Sequence, residues 1–302
     1  FYRTYPETLD RLAARKNIEL RRFDVAKVMG GVLHAKYFIV DGREAYLGSQ
    51  NFDWRSLTHI QELGVRIRQP DLVRGLAEVF EMDWALAAGS SSARPAPAPE
   101  ANRFPVRVVS GADTTEATFV ASPLGWLPDS TLWDLPRIVK IIDGAKKKVR
   151  VQLLTYKSAE RGGEIFGDLE NALLRAASRG VDVQLLLSDW CMRAGTIEGL
   201  KKLEPVANLE VKLVTIPQWS GGFVPFARVI HAKYLVADGR DAWLGTSNWE
   251  KGYFFDSRNV GLVIHGGSIP ATLDRFFLDG WNGPYAAEVD PTKAYTPPRI
   301  GE

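Results

Sequence analysis

Two short stretches of this chain carry the same reactive side chains at the same spacing. His34, Lys36 and Asp41 recur as His231, Lys233 and Asp238. Each trio is followed by a hydroxyl and an amide, Ser49 and Asn51 in the first stretch and Thr246 and Asn248 in the second. Cleaving a phosphodiester needs a nucleophile, an acid for the leaving oxygen, and positive charge around the phosphoryl oxygens. A free imidazole titrates at about 6.5, so one ring can stay neutral and attack while the other keeps its proton and donates it. Lys supplies charge and Asn an amide donor, a combination suited to holding an anionic phosphate, with Ser49 and Thr246 beside it. Glu62 and Asn259 follow the two histidines by 28 residues. A carboxylate or amide there would accept the second ring N–H, fix the tautomer and aim the attacking nitrogen. Asp41 and Asp238 fall at Asp-Gly turns and read as structural, held by side-chain to backbone bonds. A lone His-x-Lys on a strand is ordinary surface; two copies with the same sequel mark a site.

The elements that position these groups are themselves repeated. Residues 33–51 read LHAKYFIVDGREAYLGSQN and residues 230–248 read IHAKYLVADGRDAWLGTSN, an offset of 197. The same offset pairs Gly64 with Gly261, Leu76 with Leu273, Phe80 with Phe277 and Trp84 with Trp281. Each copy predicts a hairpin, two apolar runs joined by Asp-Gly, then a strand in ELGVRI or NVGLVI and a closing helix at 72–84 or 271–281. Residues two apart on a strand share a face, so the His and Lys of each copy project together. Ahead of the hairpin the pattern predicts a short helix at 6–15 or 196–206 and a strand at 18–23 or 209–216. The second copy opens with a further unit, a strand at 149–156, an amphipathic helix at 165–177 and a strand at 181–187. Apolar strands flanking an amphipathic helix predict a buried sheet covered by helices. The fold class is therefore α/β: two duplicated lobes, helices covering a mixed sheet in each, and the site at the lobe interface.

Three segments follow. Residues 1–86 form the carboxy-terminal part of the first lobe, 87–103 an Ala/Pro/Ser-rich linker, and 104–302 the second lobe. By the repeat, Phe1 aligns near Trp190, so about 85 residues equivalent to 104–189 are expected upstream of this sequence.

Composition excludes less than the motifs include. With 302 residues, 45% of them hydrophobic and 25% charged, the chain can bury a sizeable core. A net charge of +2 and a pI of about 8.6 fall short of a strongly basic nucleic-acid binder. One cysteine, Cys191, rules out an internal disulfide framework and reads as a packed thiol. No run of eighteen apolar residues is present, and no His, Cys or acidic set has metal-ligand spacing, so neither metal nor cofactor is expected. The compartment is not fixed by the sequence. His59 and His265 read as ordinary, and Lys146-Lys147-Lys148 as a solvated helix end. Trp126, Trp133, Trp219, Phe223 and Phe226 suit scaffold packing as well as base or acyl contact. Trp190 suits cleft lining as well as packing.

The duplicated H-x-K-x4-D elements, each with its G-(S/T)-x-N, resemble the phospholipase D superfamily. NFDWRSLTHIQELGV (51–65) and GTSNWEKGYF (245–254) are similar to one branch, the lysosomal phospholipase D-like single-strand exonucleases and the related poxvirus envelope proteins. The resemblance implies a metal-independent phosphodiesterase using a phosphohistidine intermediate, with His34 as nucleophile and His231 as acid. It leaves single-stranded nucleic acid, which we favour, and phospholipid both open as the phosphodiester substrate. A membrane surface as partner, and a catalytically idle interaction protein, are the other readings; intact His, Lys and Asn in both copies argue against the idle one.

Overall fold

The computed structural model describes residues 6–89, 103–158 and 165–301. The first copy of the repeat contributes α1 (Pro6–Ala13), α2 (Val25–Met29), β1 (Tyr37–Val40), β2 (Glu44–Gly48), α3 (Trp54–Thr58), β3 (Gly64–Ile67) and α4 (Pro70–Ala87). After it come β4 (Val106–Ser110), β5 (Asp113–Ser122), α5 (Asp134–Gly144), β6 (Lys148–Leu153), α6 (Asp168–Ser178) and β7 (Asp182–Ser188). The second copy closes with α7 (Ile197–Leu203), β8 (Leu209–Val214), β9 (Tyr234–Ala237), β10 (Asp241–Gly245), α8 (Lys251–Phe255), β11 (Asn259–His265), α9 (Ile269–Trp281) and β12 (Ala286–Glu288). Both hairpins turn where the sequence places them. Asp41 and Gly42 sit at φ 53° and 64°, Asp238 and Gly239 at 56° and 66°. Two successive left-handed residues are what a tight hairpin with right-handed strand twist requires.

The strands β1, β2 and β3 make a small antiparallel sheet. The other nine make a mixed sheet in the order β12-β8-β7-β6-β9-β10-β11-β5-β4, with β6, β7 and β8 parallel. On one face of the large sheet, Val151, Leu187, Leu235 and Trp243 pack against Ile138, Leu169 and Leu173 of α5 and α6. On the other, Leu186, Val236, Leu244 and Leu262 meet Leu273 and Phe277 of α9. That second core continues through Leu72, Leu76 and Val79 of α4 to Ala45 and Leu47 of the small sheet. So α4 and α9 are a layer shared between the sheets. The approach is close: a Cβ on Gly75 of α4 would stand 2.8 Å from the Phe119 ring on β5. Arg258, fully buried, fastens the layer by donating to Asp83 of α4 at 2.8 and 3.0 Å and to the Ser122 carbonyl at 3.0 Å.

Three sequence expectations change. Residues 18–23 are not a strand. Their counterpart β8 lies between β7 and β12, whereas no described strand flanks 18–23. Arg21 instead lies 4.2 Å over the Trp84 ring and donates to the Trp84 carbonyl at 2.8 Å. The β4–β5 hairpin, beside β11, and the edge strand β12 were not expected. Of the linker, residues 90–102 lie outside the described residues. At its end Arg103 makes a two-pronged pair with Glu78 of α4, at 2.5 and 2.7 Å.

The two sheets differ on their outer faces. Phe38, Val40, Phe52 and Leu57 are between 48% and 74% exposed, while their repeat counterparts Leu235, Ala237, Trp249 and Phe254 are at 1% or less. The second set lies in the core shared with α5 and α6. Phe254→Ala should therefore cost about 3–5 kcal/mol of stability by leaving a cavity, and Leu57→Ala no more than about 0.5 kcal/mol. Chemical denaturation of the two variants checks this, and equal losses would mean the first sheet's outer face is covered in solution.

Candidate active site

The site is made by two backbone contacts that are copies of one another. Leu33 bridges Arg258 in parallel, and Ile230 bridges Gln61 in parallel. In the first, the His34 amide donates to the Arg258 carbonyl and the Arg258 amide to the Val32 carbonyl, both at 3.0 Å. In the second, the His231 amide donates to the Gln61 carbonyl at 2.8 Å and the Gln61 amide to the Val229 carbonyl at 3.0 Å. Each histidine strand is thus laid alongside the other copy's segment. The residue after Arg258 is Asn259 and the residue after Gln61 is Glu62, so each imidazole receives its partner from the opposite lobe.

The hydrogen bonds follow that crossing. His34 Nδ1 lies 3.1 Å from Asn259 Oδ1, and His231 Nδ1 lies 2.9 and 2.8 Å from the two Glu62 oxygens. The Asn259 amide group donates to the Tyr253 carbonyl at 2.7 Å and the Ser257 carbonyl at 3.2 Å. Its oxygen therefore faces His34, and it also accepts from the Thr246 hydroxyl at 2.9 Å. An oxygen that can only accept requires the proton of a neutral His34 to sit on Nδ1, leaving Nε2 with its lone pair. Ser49 does for Glu62 what Thr246 does for Asn259, donating to it at 2.5 Å. Both hydroxyls also accept a backbone N–H, from Leu63 at 3.0 Å and from Val260 at 3.1 Å.

Lys36 donates to the His34 carbonyl at 2.6 Å, and Lys233 likewise to the His231 carbonyl. Both lysines are buried. Burial pulls Lys36 down to about 7, and burial with Lys36 beside it takes Lys233 well below the ordinary lysine value. Both imidazoles also fall well below the usual histidine value. Burial acts first on each, followed by Lys36, Lys233 and His231 for His34, and by Lys233 and Lys36 for His231. Burial pushes Glu62 up, opposed by the Ser49 hydrogen bond and by both lysines. Two buried lysines thus face a single carboxylate, an imbalance that a bound anion would offset.

The other sequence candidates separate. Asn248 is buried and accepts from the Thr155 amide at 3.4 Å, whereas Asn51 is exposed. Asp238 caps the start of β6, accepting the amides of Lys146, Lys147 and Lys148 at 2.8, 2.8 and 2.9 Å. It therefore ties two strands together instead of closing its own turn, and Asp41 makes no such bonds among the described residues. Cys191 is buried, its thiol pushed up to about 12 by burial. Trp133 donates to the Phe254 carbonyl at 3.2 Å, which makes it scaffold. Sequence reasoning missed Tyr253, whose ring meets His34 edge-on at 4.8 Å. Its repeat counterpart is Ser56, so the His231 side lacks that ring. Among the described residues no group of three or more His, Cys, Asp or Glu side chains could hold a metal ion, and no helix is long and apolar enough to cross a membrane.

Comparison with known proteins shows the family to which the chain belongs. The family described as "Cardiolipin synthase, PLD-like domain" matches residues 3–84 and 138–281. The chain is 32% identical to the 5'-3' exonuclease PLD4 of Mus musculus, over 92% of this chain and 60% of that protein. It is 29% identical to Phospholipase D Z of Dictyostelium discoideum, over 94% of this chain and 70% of that one. The chain thus spans about 60% of the length of the mammalian exonuclease it matches. Among solved structures, the phosphatidylserine synthase of Haemophilus influenzae superposes with a TM-score of 0.57 at 12% identity, over 87% of this chain and 64% of that one. That likeness is one of fold.

The charge imbalance gives a direct test. Inorganic phosphate at a hundred times its Kd should stabilise the protein by about 2.7 kcal/mol, and Lys233→Met should abolish that increment. Denaturation curves with and without phosphate measure it; an equal increment in the variant would place the anion elsewhere.

Proposed function

This chain belongs to the phospholipase D-like family, and from that premise we propose that it hydrolyses phosphodiesters through a phosphohistidine on His34. The observation that carries the assignment is the crossed and unequal pairing of the two imidazoles. His34 is backed by the neutral Asn259 amide, which holds one proton on Nδ1 and offers no charge to retain a second. It stays neutral and attacks phosphorus through Nε2. His231 is backed by the Glu62 carboxylate, which stabilises an imidazolium. When a phosphodiester anion enters, it offsets Lys36 and Lys233, and the His231–Glu62 pair holds its proton more firmly. That proton goes to the leaving oxygen as the P–O bond breaks. His231, now neutral, takes a proton from water as the water oxygen attacks phosphorus; the P–N bond breaks and its electron pair returns to His34 Nε2. Lys36, Lys233 and Asn248 hold the phosphoryl oxygens throughout.

The phosphoryl chemistry leaves the rest of the substrate open. We favour single-stranded nucleic acid, supported by the relatives named as 5'-3' exonucleases. Phospholipid is the second reading, supported by the relative named Phospholipase D Z. Shortening of labelled oligonucleotides, set against choline release from phosphatidylcholine vesicles, decides between them.

Two further outcomes test the mechanism. With bis-p-nitrophenyl phosphate the leaving group departs without acid assistance, so His231→Ala should still form the covalent intermediate but break it down slowly. Mass analysis should find the phosphoryl adduct on the peptide containing His34; an adduct on residue 231 in His34→Ala would reverse the roles. On an unactivated ester the His231→Ala loss should be about 10²- to 10⁴-fold.

The pH dependence follows from the lowered imidazole values. Both rings lose their protons below the usual histidine range, and kcat/KM reports the free enzyme. The rate should therefore fall as pH rises from mildly acidic through neutral, as protonated His231 disappears. Glu62→Gln removes the carboxylate that retains this proton, so the falling limb should move to lower pH. A limb that stays in place or moves up would mean that Glu62 does not retain the His231 proton.

A further inference from the structure

The segment that ends in Glu62 begins in a cluster of rings. His59 lies between Trp54, at 5.5 Å and 88°, and Trp219 of the second copy, at 5.2 Å and 56°. The two indoles are 53% and 48% exposed, so each offers a face to solvent. His59 is the spacer, with a buried Nδ1 that has no hydrogen-bond partner. The cluster is joined to the catalytic backbone ladder, because the His59 carbonyl accepts the Arg228 amide at 2.9 Å, next to the Gln61–Val229 and His231–Gln61 bonds. Glu62 is three positions on from His59, which at about 3.3 Å per extended residue is roughly 10 Å. Trp219 is held in place by its loop: its ring covers Gly221, where a Cβ would come within 2.4 Å of it, and the Gly222 amide donates to its carbonyl at 3.0 Å.

Two arginines stand at the rim of the cluster. Arg55 is paired with Asp53 at 3.3 Å and donates to the Pro225 carbonyl at 3.3 Å, with its guanidinium 5.9 Å from the exposed Phe226 ring. Arg228 donates to the Pro217 carbonyl at 2.8 Å. We propose that Trp54, His59 and Trp219 form a shelf on which a base of single-stranded nucleic acid stacks, beside the nucleotide whose phosphate enters the pocket. The proposal rests on the phosphodiesterase reading above and names its substrate class. Two open indole faces set at an angle, with arginines at the rim, suit flat rings on a polyanion. An acyl chain would gain more from a closed apolar groove. Stacking needs only a π-face, so the shelf should accept any base.

The test is equilibrium binding of a fluorescent oligothymidylate, alongside turnover of bis-p-nitrophenyl phosphate, which is too short to reach from the pocket across the shelf. Trp54→Ala and Trp219→Leu should each weaken oligonucleotide binding by about 5- to 100-fold, the range expected for one base–aromatic stack. Trp219→Tyr should keep most of the affinity, and none of the three should change turnover of the small ester. Leu retains apolar area and loses the aromatic face, so unchanged oligonucleotide binding in Trp219→Leu would overturn the proposal. A parallel loss on both ligands would overturn it too, making the rings structural. Loss of activity on phosphatidylcholine vesicles in Trp219→Ala, with oligonucleotide binding kept, would assign the rings to lipid. If the wild-type protein fails to hydrolyse the small ester, the phosphodiesterase reading falls, and oligonucleotide binding still decides whether the shelf exists.

Discussion

The backbone bridge between each histidine strand and the opposite lobe is the contact on which the site depends. An imidazole can be placed by its own strand, but its second nitrogen must meet a fixed acceptor for the ring to point one way. In this protein the acceptor and the ring are on different copies of the repeat, and two main-chain hydrogen bonds per bridge set their distance. Main-chain bonds are indifferent to side-chain identity. The two copies could therefore diverge at residues 62 and 259 without losing registration, and the two halves of the site would still meet. The buried Arg258–Asp83 pair adds to this, because Arg258 takes part in one bridge through its backbone while its guanidinium grips α4. Removing one partner of such a pair leaves an uncompensated buried charge, so the interface opposes partial opening.

Divergence between the copies is where a symmetric frame acquires distinct roles. Ser49 and Thr246 perform the same task on opposite sides, as do the two lysines. Glu62 and Asn259 do not. One can carry charge and the other cannot, so the two rings sit against chemically different partners. Tyr253 against Ser56 is a second break: the ring crowds His34 on one side only. In a frame with equal halves the two histidines would be equivalent; the unequal partners make them different.

Much of this was legible in the sequence because the repeat measures itself. The hairpins, β3, α4 and α9 fall where the 197-residue offset and Asp-Gly turns place them, and His34, Lys36, His231 and Lys233 converge. What was not legible depended on neighbours far along the chain. Residues 18–23 have a strand's composition, but strand formation needs an adjacent strand. The β4–β5 hairpin does carry a signal, a Val-rich run and a Thr-rich run around Ser-Gly-Ala-Asp, but it has no repeat partner to make it stand out. Nothing in the local sequence says that Glu62 serves the histidine of the other copy. That follows only from the parallel bridges. Asp238 looked like a turn residue for the same reason, since its three amide partners lie about ninety residues earlier in the chain.

The electrostatics explain why such a site is held so firmly. Two lysines at low exposure repel one another and lose solvation, and Glu62 offsets only part of that. A softer protein would relieve the repulsion by letting a lysine swing to solvent. In this site Lys36 and Lys233 are each anchored to the carbonyl of the histidine two residues before them, and those histidine strands are fixed by the bridges. The unfavourable charge arrangement is therefore kept in place. Interactions that cost stability on their own are the ones that would gain most from an anion, which is how a preorganised site differs from a surface patch of the same composition.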